Sequence, residues 1–139
     1  MSHFWQAWLR VWCWSVGLFG VGLAGAGLPA TGEPSRLLLD LMNGAEPFVL
    51  SQSIRFCLSV LGSVTLGWSI TLWAAIKAAN LLGAPGRPIW NLVIMSAIGW
   101  FVVDSALSIA TGFGLNAVAN TLFIVTLLVP IWRSGVLKP

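Results

Sequence analysis

From Val11 to Gly32, from Phe56 to Ile76, from Pro88 to Val103 and from Ser105 to Trp132 the chain carries no charged side chain. A helix rises only ~1.5 Å per residue, so crossing a hydrocarbon layer takes roughly 20 predominantly apolar residues. The last two stretches flank Asp104, and Thr111-Gly112-Phe113-Gly114 supplies a break between helices. The pattern predicts four transmembrane helices over about 5–28, 49–79, 88–111 and 115–132. The expected fold is all-α, a single four-span integral membrane bundle over residues 1–139.

The segment 29–47 is the one sizeable piece outside these spans. Glu33-Pro34-Ser35 reads as a helix start, Leu37, Leu38, Leu39, Leu41 and Met42 follow, and Asn43-Gly44 reads as a stop. A helix this short and this apolar is expected to lie at the outer interface rather than cross. It would act as a lid on the bundle mouth or as a docking surface for a partner.

Composition agrees with a membrane protein. Of 139 residues 58% are apolar and 8% charged, whereas soluble domains carry about a quarter charged residues. With an even number of spans, Arg10, Lys77, Arg87, Arg133 and Lys138 fall on one side, and Glu33, Arg36, Asp40 and Glu46 on the other. The positive-inside rule then places both termini in the cytoplasm. The net charge of +3 is a topology signal and implies no nucleic-acid partner. Trp5, Trp8, Trp12, Trp14, Trp73, Trp90 and Trp132 lie near the cytoplasmic ends and are expected to form one interfacial belt. Ala24-Gly25-Ala26-Gly27 loosely resembles a signal-peptide cleavage region, but we expect the first span to be retained.

Little of the common site chemistry is available. Cys13 and Cys57 form no CxxC pair and are expected to be packing residues. His3 is the only histidine, which excludes paired axial haem ligands, a His-rich metal site and a Ser–His–Asp triad. No Walker or HExxH arrangement is present.

The informative residues are Arg55 and Asp104, each about two turns from the outer end of its span. Charges inside a span are costly and normally paired, so an ion pair between them is expected. Asn116, Asn120 and Gln52 are placed to join it. The set reads as a buried polar clasp, or as an outward-open polar site for a small ligand or headgroup. Arg55, Ser59, Ser63 and Gly67 form a small, polar stripe at four-residue spacing, and Asp104, Ser108 and Thr111 form another. On the first span Gly17, Gly20, Ala24 and Gly27 permit close helix approach. Trp68 and Trp100, nearer mid-membrane, could pack in the core or face an apolar ligand or pigment.

The length, the four spans, the inward termini and an arginine early in the second span followed by glycines (Arg55, Gly62, Gly67) resemble the DoxX-like group of small bacterial membrane proteins. The chain departs from that group in carrying Asp104 where a basic residue is expected late in the third span. The resemblance implies a four-helix bundle in a bacterial inner membrane but no particular reaction. An acid-free first span departs from small multidrug transporters, which carry a carboxylate there. Two functions follow from these features. The first is a non-catalytic accessory, assembly or stabilising subunit of a larger membrane complex, whose partners are the lipid bilayer and other membrane subunits and which needs no cofactor. The second is a small-molecule or lipid-binding protein, a transporter or enzyme built on Arg55, Asp104, Asn116 and Asn120, with a quinone, lipid or pigment as ligand.

Overall fold

The computed structural model describes residues 1–43 and 47–138; Gly44 and Glu46 of the sequence reading lie outside them. Among the described residues 87% are helical and none lies in a strand. Among the described residues five α-helices run in the order α1 (His3–Ala24), α2 (Glu33–Asn43), α3 (Gln52–Leu82), α4 (Arg87–Ala110) and α5 (Gly114–Arg133). Four of them, α1, α3, α4 and α5, are long and apolar enough to cross a membrane.

Local chemistry explains where each helix begins and ends. Ser2 Oγ accepts from the Trp5 amide, so α1 starts ahead of the expected residue 5. The second long helix starts at Gln52 rather than 49, because Ser51 caps it through its hydroxyl to the Ile54 amide (3.4 Å). It runs on to Leu82 and stops at Gly83, whose φ of 64° few other residues adopt. The end of α4 is a Schellman motif, in which Phe113 N–H donates to Ser108 O, Gly112 N–H donates to Ile109 O, and Gly112 has φ 87°.

Contacts divide the chain into two compact units, Met1–Cys13 with Thr71–Pro139, and Trp14–Ile70. In the first unit α4 and α5 form an antiparallel hairpin, with Trp90, Val93, Ala97, Ser105 and Ser108 facing inward from α4. Asn120, Ile124, Leu127, Pro130 and Ile131 face inward from α5. Pro130 lacks the N–H that would bond to Thr126 O, and Trp8 Nε1 donates to that carbonyl instead at 2.9 Å. One turn further along α1, Trp12 Nε1 donates to Phe123 O at 3.1 Å.

These contacts revise the tryptophan belt. Trp12 and Trp90 are 6% and 1% exposed and belong to the interior. Their helical phase places Trp12 on the stripe that meets α5 and Trp90 on the inward stripe of α4. Trp8, Trp14 and Trp132 remain well exposed. Cys13 is buried, whereas Cys57 is exposed on α3, so packing within the chain accounts for Cys13 alone.

In the second unit the small residues of α1 meet α3. A Cβ on Gly20 would lie 2.7 Å from both Gly62 O and Leu66 N, and one on Gly17 would lie 2.8 Å from Ser69 Oγ. Helix α2 docks through Ser35, whose hydroxyl donates to Gly22 O at 3.1 Å. On its other side Arg36 forms ion pairs with Glu33 and with Asp40 (2.7 Å to the latter), and Phe48 N–H donates to Asp40.

The hydrogen bond from Arg36 holds the Glu33 carboxyl below its ordinary pKa. Its contribution to α2 is therefore complete above the ordinary carboxylate range and is lost as pH falls through the lowered pKa. Amide exchange in the first turn of α2, referenced to α4, should accelerate between about pH 6 and about pH 3. Arg36→Gln should flatten that dependence. An unchanged profile in the variant would show that Arg36 is not its cause.

Candidate functional site

The candidate residues fall into two polar clusters, one in each unit. In the second unit the stretch just after α1, Gly25 to Leu28, presents backbone carbonyls outside the regular helical ladder. Side chains from two other segments, the turn at Thr31 and the start of α3, supply donors. Arg55, on the first turn of α3, donates from Nη1 to Ala26 O (3.0 Å) and Leu28 O (3.4 Å), and from Nε to Leu50 O (3.1 Å). Thr31 Oγ1 donates to Gly25 O at 2.6 Å, and Ser59 Oγ lies 2.8 Å from Arg55 O and 3.5 Å from Ala24 O. A cation beside the carbonyl end of a helix is also favourably placed against the helix dipole. Gly27 and Gly32 make the approach feasible, since a Cβ on Gly27 would strike Ser59 Oγ and one on Gly32 would lie 2.6 Å from Arg55 Nη1. Arg55 thus acts as the cap of a neighbouring helix.

In the first unit Asp104 on α4 faces the opening turns of α5. Its Oδ2 accepts from Asn120 Nδ2 at 2.7 Å and from Asn116 Nδ2 at 3.2 Å. The same amides reach Ser108 Oγ (2.8 Å) and Ser105 Oγ (3.3 Å). Asn116 and Asn120 are four apart and so share one face of α5; the Schellman turn brings that face against Asp104, Ser105 and Ser108. Ser105, Ser108 and Asn120 are buried.

Asp104, Asn116 and Asn120 are therefore brought together as expected. Arg55 and Asp104 lie in different units, each with the partners just given. Gln52 is exposed at the first residue of α3. Trp68 and Trp100 are half-buried, one in each unit. Among the described residues no three His, Cys, Asp or Glu side chains gather in a metal-binding group. Thr31 was not singled out in the sequence, and Ser35 and Trp8 were read only as part of a helix start and of the interfacial belt, although each supplies a donor to a backbone carbonyl. A Pro late in the last span, with a Trp early in the first, was the signal available for Trp8.

No family model, no curated protein and no solved structure matches this chain.

Proposed function

We propose that the chain is a non-catalytic integral membrane protein of a bacterial inner membrane, serving as an accessory, assembly or stabilising subunit of a larger membrane complex. Helices α1, α3, α4 and α5 cross the bilayer, α2 lies at the outer interface, and both termini are cytoplasmic. The resemblance to the DoxX-like group belongs to this reading as shared architecture.

One observation carries it. The polar groups that could have formed a reactive centre are spent on the fold, Arg55 on helix-end carbonyls and Asp104 on two amides. Meanwhile large apolar side chains face outward, among them Phe56 (68% exposed), Met95 (67%) and Leu122 (65%). Surfaces of that kind suit lipid tails and the helices of other subunits.

Purification from native membranes in mild detergent, with quantitative mass spectrometry, tests the proposal. At least one membrane protein should accompany the chain at a fixed ratio, and its assembled complex should decline in cells lacking the chain. A lone chain carrying a stoichiometric lipid, quinone or pigment, with every complex unchanged, would overturn it.

A further inference from the structure

A recess of about 250 Å³ opens where the α3–α4 turn meets the end of α5, and Met1, Asn80, Arg87, Trp90, Ser134 and Lys138 are among its lining residues. Gly83 makes the turn with φ 64°. Gly86 lets it press against α3, because a Cβ there would strike Ala79 O. Arg87 and Asn80 both line the recess. The tail beyond α5 folds back through Gly135 N–H to Trp132 O and Lys138 N–H to Gly135 O, which brings Lys138 to the same recess.

Two features beside the recess suit an anion. First, Arg87 Nε is buried without a hydrogen-bond partner, although a guanidinium is always charged and a buried donor left unmet is costly. Second, no acidic side chain among the described residues lines the recess. The first unit contains Arg10, Lys77, Arg87, Arg133 and Lys138 but a single acid, Asp104. That acid lies 17 positions along α4 from Arg87, about 25 Å away, and its donors are Asn116 and Asn120.

We infer that this recess binds a phosphate group, with Arg87 as the fork that grips its oxygens and Lys138 as the second positive charge. Arginine matches phosphate geometry through paired N–H donors, and lysine adds a point charge. The volume is well above the ~10–15 Å³ of such space that one water needs. That suits a phosphate or a phospholipid headgroup and is below the ~300 Å³ where drug-sized ligand pockets begin. The inference rests on the membrane reading above only in making a lipid headgroup one source. On that reading the recess lies at the cytoplasmic surface, where anionic lipids are found.

The test uses the purified full chain and does not depend on any partner. Native mass spectrometry counts lipids retained from nanodiscs of phosphatidylglycerol or of phosphatidylcholine, and titration with inorganic phosphate is followed by tryptophan emission. One retained phosphatidylglycerol, reduced at least fivefold in Arg87→Gln and in Lys138→Gln but not in Lys77→Gln, supports a headgroup. Saturable inorganic phosphate binding lost in the same two variants, without lipid retention, supports a free phosphate. Should Arg87→Gln fail to fold, the Lys138→Gln tail variant decides alone. Wild-type retention or titration in the recess variants, or binding of neither probe, would overturn the inference.

Discussion

Gly62→Val is expected to be the most damaging single substitution among the helix contacts, costing more than about 3 kcal/mol. A Cβ at Gly62 would strike Ala24 N and Gly20 O and lie 2.8 Å from Ala24 Cα. These are backbone atoms of α1, so no rotamer change can relieve the clash, and the two helices must separate. Separation would also pull Ser59 and Arg55 from the carbonyls they cap. The control is Gly99→Ala on α4, where a Cβ meets nothing within 4 Å and Ala favours the helix by up to ~1 kcal/mol. Unfolding in mixed dodecyl sulfate micelles, followed by tryptophan emission, should give a midpoint far lower for Gly62→Val and unchanged or higher for Gly99→Ala. Equal midpoints would mean that α1 and α3 do not pack through this glycine.

Asp104→Leu should cost about 2 kcal/mol, because two amide donors lose their carboxyl acceptor inside an apolar hairpin. Asn116 and Asn120 keep only their serine partners. Asp104→Asn should lose much less, since a side-chain carbonyl still accepts. Replacing the whole set, Asp104→Leu with Asn116→Leu and Asn120→Leu, should recover most of the loss, because removing both sides of a buried polar contact leaves nothing unmet. The same micelle titration orders the variants. A triple variant no more stable than Asp104→Leu would contradict a cluster whose role is internal satisfaction.

The four long helices were legible because charge-free runs of this length have few alternatives. Their ends shifted by a few residues where a cap outweighed hydrophobicity, as Ser51 did at the start of α3. The Asp104 cluster was legible too, since Asn116 and Asn120 share a helix face and Asp104 lies across a short turn from them. The face of α3 was read less well. A stripe drawn at strict four-residue spacing drifts by about 40° at each step of a 3.6-residue helix. The residues that meet α1 alternate in steps of four and three instead: Arg55, Ser59, Gly62, Leu66 and Ser69. Ser63 and Gly67 consequently come out exposed. The capping role of Arg55 was hidden because its acceptors are backbone carbonyls, which no residue type announces. Burial of Trp12 and Trp90 was missed for a related reason: position near a span end says where a Trp lies along the membrane normal, not which way its ring points.

The central claim is that the Asp104 cluster serves the fold and that the chain serves other subunits through its surface. Rescue of a strain lacking the chain tests this most directly, reading the amount of assembled partner complex on native gels. The Asp104→Leu, Asn116→Leu, Asn120→Leu variant should restore the complex to wild-type amount once its own folded level matches. A variant that folds and accumulates normally yet leaves the complex or the cell's phenotype unrestored would contradict the claim and assign the cluster a ligand.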